Sequence, residues 1–127
     1  MGSVSRDTSR EATAPADRPG EGMAKGLFVR LRVKKGKGDE VEAFLRGGLE
    51  AVNEERDTTT WYAVRFGPEE FAIFDTFPDD AGRLAHLAGK VGRALVARGP
   101  ELFEGAPEIE HAHVLAYKLP GQSGQVS

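Results

Sequence analysis

The sequence predicts an α+β domain of ferredoxin-like type, an antiparallel sheet laid down in the order β-α-β-β-α-β with both helices on one face. Three observations predict it. The apolar period switches between 2 and 3.6 along the chain in that order, clusters of Gly and Pro separate the segments, and 127 residues suffice for one core but not two.

Residues 27–33 alternate strictly, with Leu27, Val29, Leu31 and Val33 on one side and Phe28, Arg30 and Arg32 on the other, as in a strand with one buried face. The basic stretch Lys34-Lys35-Gly36-Lys37-Gly38 ends it. No Gly-x-Gly-x-x-Gly or Walker pattern accompanies that stretch, so it reads as a solvated loop rather than a phosphate grip. Asp39, followed by Glu42, looks like a capping box, and Val41, Phe44, Leu45, Gly48 and Val52 then recur at helical spacing to about residue 54. Gly48 lies on the buried stripe, where a missing side chain permits close packing or leaves space for a ligand; close packing is the commoner reason.

Residues 58–66 and 71–77 are rich in β-branched and aromatic side chains and flank the reversal Gly67-Pro68-Glu69-Glu70, which predicts a hairpin. Asp79 is an N-cap for a single helix reaching residue 98, with Leu84, Leu87, Ala88, Val91 and Leu95 on one stripe and Gly99-Pro100 as its stop. After a short turn at 101–103, residues 109–119 read as the last strand. Residues 1–24 are polar and rich in Pro and Gly, predicting a disordered tail, with Met23 as an alternative start of translation; residues 120–127 predict a flexible C-terminal tail. The folded domain is thus residues 25–119.

Two helices cover one sheet face. Phe28, Trp61 or Tyr62, Phe74 and Tyr117 cannot all lie on that side, so a second copy of the sheet is the simplest cover and a homodimer is expected. With 17 Lys+Arg against 20 Asp+Glu, the net charge of −3 offers no attraction to nucleic acid or anionic membranes, and neither is expected as a partner. The absence of cysteine excludes disulfides, thiolate metal sites and a cysteine nucleophile. No apolar run approaches the roughly 20 residues of a membrane span, and a cytoplasmic location is expected.

The order of elements, the stretch Trp61-Tyr62-Ala63-Val64-Arg65-Phe66-Gly67-Pro68, and Phe71-Ala72-Ile73-Phe74-Asp75-Thr76-Phe77-Pro78-Asp79 running into Ala85-His86-Leu87 resemble the antibiotic biosynthesis monooxygenase family. The resemblance covers nearly all of residues 25–119. It implies a dimeric α+β barrel whose active members oxidise an electron-rich phenol or quinol with dioxygen, without metal, flavin or haem, in a pocket between sheet and helices. Many members carry a Glu-x-Trp pattern at the end of the third strand, where this chain has Asp75-Thr76-Phe77. The haem-degrading relatives place a histidine late in the second helix and an asparagine in the first strand; residues 91–98 and 27–33 hold neither, so haem degradation is not expected.

Such chemistry needs a base, aromatic walls and exclusion of water. Asp75 shares a strand face with Phe71, Ile73 and Phe77, and must therefore be ion-paired or shifted in pKa, as half of a structural pair or as a general base. On a continuous helix, His86 lies nearly opposite Val91 and Leu95. That favours a surface or interface position, unless the helix breaks at Gly89 or Gly92 or a partner covers it. Trp61 and Arg65, four apart on one strand face, form either a cradle for an anionic aromatic or core packing with Arg65 bonded to Asp75 or another carboxylate. His111 and His113 share a face but lack a third ligand, so no metal site is expected; they read as hydrogen-bonded histidines lining the sheet, with His113 also a candidate acid or base.

The resulting expectation is a cofactor-independent monooxygenase of a small aromatic or quinol-type substrate. Asp75 and His86 are its catalytic candidates, and Trp61, Arg65, Phe74, Phe77 and His113 its substrate-binding candidates. The alternative is a non-catalytic dimer that binds a small ligand or serves a structural role.

Overall fold

A computed structural model describes residues 21–126. The tail expected at 1–24 therefore falls mostly outside the described residues. Its last part is structured: Glu21–Met23 form a 3-10 turn and Met23 is buried.

Four strands, β1 (Lys25–Arg32), β2 (Thr60–Arg65), β3 (Glu70–Phe77) and β4 (Glu108–His113), form one antiparallel sheet in the order β2-β3-β1-β4. Helices α1 (Gly38–Asn53), α2 (Asp80–Leu87) and α3 (Lys90–Leu102) accompany it, and β5 (Ala116–Leu119) pairs with β6 (Gln122–Gln125) as a separate hairpin. Strand β1 lies between β3 and β4, and its alternation buries one face. Leu27, Val29, Leu31 and Val33 are buried with Phe71, Ile73 and Phe77 of β3, against Val41, Leu45 and Val52 of α1 and Val91, Leu95 and Leu102 of α3. Each such side chain contributes roughly 1.5–3 kcal/mol on leaving water.

Gly48 serves close packing: a Cβ there would lie 3.3 Å from Val91 Cγ2 and 3.9 Å from Trp61 Cη2, so α1 rests against both α3 and the sheet edge. The capping box does not form. Among the described residues no side chain caps the α1 N-terminus, and Asp39 and Glu42 instead meet Arg65 Nη1 at 3.1 and 2.7 Å. A single cation on the neighbouring hairpin outbids the first-turn amides for both carboxylates.

The helix expected to run unbroken from 79 to 98 is two helices. Asp79 does cap α2, accepting from the Gly82 amide at 2.8 Å, but the chain turns at Ala88-Gly89 and restarts. Gly92 permits the tight turn, because a Cβ there would collide with the Leu87 carbonyl. The predicted apolar stripe is broken accordingly, and Leu84 is exposed. Helix α3 also runs past Gly99-Pro100 to Leu102. A proline in the last turn costs one backbone hydrogen bond, and the burial of Leu102 together with the bridge between Val33 and Phe103 offsets that cost.

The last predicted strand is also divided. Between β4 and β5 the Val114 amide turns to the Ala24 carbonyl, and residues 120–127, expected as a flexible tail, supply β6. Gly121, at φ 78°, makes the reversal.

Candidate functional site

The sheet register decides which side chains can meet. Trp61 is the direct cross-strand partner of Asp75, and Leu27 flanks Asp75 from β1 on the other side. Directly opposed residues share a sheet face. Trp61, Ala63 and Arg65 therefore share the helix-side face with Phe71, Ile73 and Asp75, while Tyr62, Val64 and Phe74 share the other.

A groove of about 560 Å³ opens between α1 and edge strand β2, walled by Leu45, Leu49, Trp61 and Phe71 with Glu42, Arg46 and Arg65 at its polar end. Arg65 is engaged there. Besides Asp39 and Glu42, its Nε donates to the Gly67 carbonyl at 2.9 Å and its guanidinium stands 5.0 Å from the centre of the Phe71 ring. Hydrogen bonds to Glu42 and Asp39 raise the Arg65 pKa, and those from Arg65 and Arg46 hold Glu42 below the usual carboxylate range. Of the two readings for Arg65, the ion pair describes its surroundings, with Asp39 and Glu42 rather than Asp75 as the partners.

Behind the groove, Asp75 is fully buried and belongs to a second cluster. His86 Nε2 lies 2.9 Å from Asp75 Oδ2 and His86 Nδ1 lies 2.6 Å from Glu55 Oε1. Thr58 Oγ1 donates to Glu55 Oε1 at 2.7 Å, which fixes that carboxylate. The Phe77 ring closes one side, its centre 5.3 Å from that of the imidazole. His86 is buried, contrary to the helical-wheel expectation, because the break at Gly89 frees α2 from the orientation of Val91 and Leu95.

Burial pushes the Asp75 carboxyl up, and the opposing pull of the His86 imidazole does not cancel it. Burial by itself lowers the His86 imidazole, but Asp75 and Glu55 at its two nitrogens outweigh burial and leave it raised above its ordinary 6.5. The cluster therefore favours the protonated form of the imidazole, held between the Asp75 and Glu55 carboxyl groups, with Glu55, 21% exposed at its side chain, as its outlet to solvent. The Asp75–His86 contact is a charge contact through Oδ2, and among the described residues neither Asp75 Oδ1 nor Oδ2 has a hydrogen-bond partner. Trp61 Nε1 is also buried without one.

The predicted residues thus separate into three groups. Trp61 and Arg65 line the groove; Asp75, His86 and Phe77 form the buried cluster beside it, and Phe77 does not wall the groove. Phe74 and His113 belong to neither. Phe74 lies over Gly26 on the opposite sheet face, and His113 is exposed on β4, two strands away from β3 and three from the groove's edge strand. Strand alternation accounts for Phe74 and strand order for His113. Glu55 has no sequence signal: it sits in a charged run just past α1, where periodicity says nothing. No group of three or more His, Cys, Asp or Glu among the described residues is arranged to hold a metal ion, and no described helix is long and apolar enough to cross a membrane.

No family model and no curated protein matches the sequence. Solved structures do. The NE2512 protein of Nitrosomonas europaea, whose function is unknown, is 44% identical with a TM-score of 0.76, over 80% of this chain and 98% of that one. An antibiotic biosynthesis monooxygenase is similar at 16% identity and a TM-score of 0.63, over 72% of this chain and 98% of its own. A Caulobacter crescentus protein assigned to the same monooxygenases is similar at 18% identity and a TM-score of 0.62, over 73% of this chain and 92% of its own. At that identity the last two comparisons speak to fold, and the first to kinship: the chain belongs to one family with the NE2512 protein, built on the fold of the antibiotic biosynthesis monooxygenases.

Proposed function

We propose that the chain is a cofactor-independent monooxygenase of a small phenol- or quinol-type aromatic, with Asp75 as the base. The observation that carries this reading is the register pair itself: Trp61, which walls the groove, stands directly across from a buried carboxylate. In the reaction a hydroxyarene and dioxygen become a quinone and water. One oxygen atom enters the ring, the other leaves as water, and the arene supplies all the electrons. The protein's part is to take the hydroxyl proton, hold the ring flat and exclude water. Asp75 accepts the proton, His86 stabilises the carboxylate before transfer, and Glu55 keeps His86 charged and oriented.

The same reading includes a homodimer. The sheet face away from the helices carries Val64 at 42% and Tyr62 at 49% exposure with half-buried Phe28 and Phe74, and Phe66 continues it at 61%. A second copy of that face is the occupant of matching chemistry, and light scattering at micromolar concentration should give twice the monomer mass.

The decisive measurement is oxygen uptake with a panel of phenols and quinols, using metal-stripped, flavin-free protein. Consumption above buffer that is lost in Asp75→Asn is expected. Consumption no greater than buffer across the panel overturns the reading and leaves a non-catalytic ligand-binding dimer.

A further inference from the structure

Trp61 Nε1 and Asp75 Oδ1 are a donor and an acceptor, both buried, both without a hydrogen-bond partner among the described residues, on two residues that face each other across adjacent strands. They do not bond to each other. Buried polar groups nearly always find partners, and two complementary ones left on directly opposed residues of one sheet face invite an occupant that satisfies both. An occupant that accepts from the N–H and donates to the carboxylate satisfies both, and a hydroxyl does so with one atom. The indole that carries the donor also forms the groove wall, so an aromatic ring entering between Leu45, Leu49 and Phe71 meets it first.

We propose that Trp61 and Asp75 form a clamp for the hydroxyl of an aromatic alcohol, the indole N–H donating to the hydroxyl oxygen and Asp75 Oδ1 accepting its hydrogen. The clamp deepens the function proposed above by naming how the ring is oriented: hydroxyl inward past the indole edge, the rest of the ring in the groove. Asp75 does not line the groove itself, so entry past the indole edge is part of the proposal. No bond is made or broken in the clamp. An ether or a bare hydrocarbon of the same shape fits the groove but leaves Asp75 Oδ1 without a donor, so the site discriminates by hydrogen bonding rather than by area.

Binding is tested by titration calorimetry of the full chain under nitrogen, with 1-naphthol, 1-methoxynaphthalene and naphthalene as probes. Naphthol is expected to bind at least tenfold tighter than the other two, and Trp61→Phe, which keeps an aromatic wall but removes the N–H, to reduce that preference severalfold. Equal affinities for the three probes in the unaltered protein, or a preference unchanged in folded Trp61→Phe, overturn the clamp. A crystal structure of the unaltered protein soaked with naphthol makes the test independent of any variant. Its oxygen between Trp61 Nε1 and Asp75 Oδ1 supports the proposal; a water molecule there with naphthol elsewhere overturns it. Because oxygen is absent, a protein that consumes none with any substrate can still show the naphthol preference, so the clamp and the turnover fail separately.

Discussion

His86 Nδ1 lies 2.6 Å from Glu55 Oε1, tying helix α2 to the segment that follows α1. The contact determines the charge of the buried cluster, since Glu55 is the member that touches both the imidazole and solvent. Replacing Glu55 with Gln should lower the His86 titration midpoint and reduce stability at pH 6 by about 1.5–3 kcal/mol, the usual worth of a hydrogen bond to a charged group. NMR titration of the imidazole and urea unfolding read the two effects. A His86 midpoint unmoved by the substitution refutes the assignment.

The pH dependence follows from two raised groups. His86 is raised above 6.5, so its contribution to stability is complete below that value and is lost as pH rises through the folded value. Asp75 is raised from its ordinary 3.8, so its contribution is lost in the same direction, as pH rises above that value, and the window above pH 6 belongs to His86. The melting temperature should therefore fall between pH 6 and pH 9, more steeply than in the double variant His86→Gln/Asp75→Asn. Parallel curves for the two proteins contradict this.

The adjacent glycines of α1 should respond oppositely. Gly47 is exposed with open space where a Cβ would stand, so Gly47→Ala should stabilise by up to about 1 kcal/mol through helix propensity. Gly48 faces Val91 and Trp61, so Gly48→Leu should destabilise by about 1–3 kcal/mol through overpacking. Thermal unfolding of both variants checks the sign of each.

If a second copy covers the open sheet face, a charge placed there is taken out of water on association. Val64→Lys should convert the dimer to a monomer in light scattering while leaving the circular dichroism spectrum intact. A dimer that persists in this variant places the contact elsewhere.

Much of the fold is legible because it is local. Leu27 to Val33 alternate without exception, and the β2–β3 turn is marked by Gly67-Pro68. The break between α2 and α3 is not, because Gly89 and Gly92 look like tolerated helical glycines until Leu87 is seen packed against one of them. That break also hid the burial of His86, which depends on Glu55, far away in sequence. The β6 strand is illegible for a different reason. Gln122-Ser123-Gly124-Gln125 has no apolar face, and backbone pairing with β5 carries no side-chain pattern. For the site, alternation was enough to put Trp61, Arg65 and Asp75 on one face, but only register shows that Trp61 and Asp75 are direct partners.

Strand β1 occupies the centre of the sheet, yet both its neighbours come later in the chain, β3 at residues 70–77 and β4 at 108–113. During synthesis the first strand made must wait for the last strand of the sheet before both its backbone edges are satisfied. Until then an apolar strand with open edges is exposed to other nascent chains. Such long-range pairings slow folding. Loss of the segment from residue 108 onward should consequently leave an aggregation-prone remnant rather than a smaller working domain.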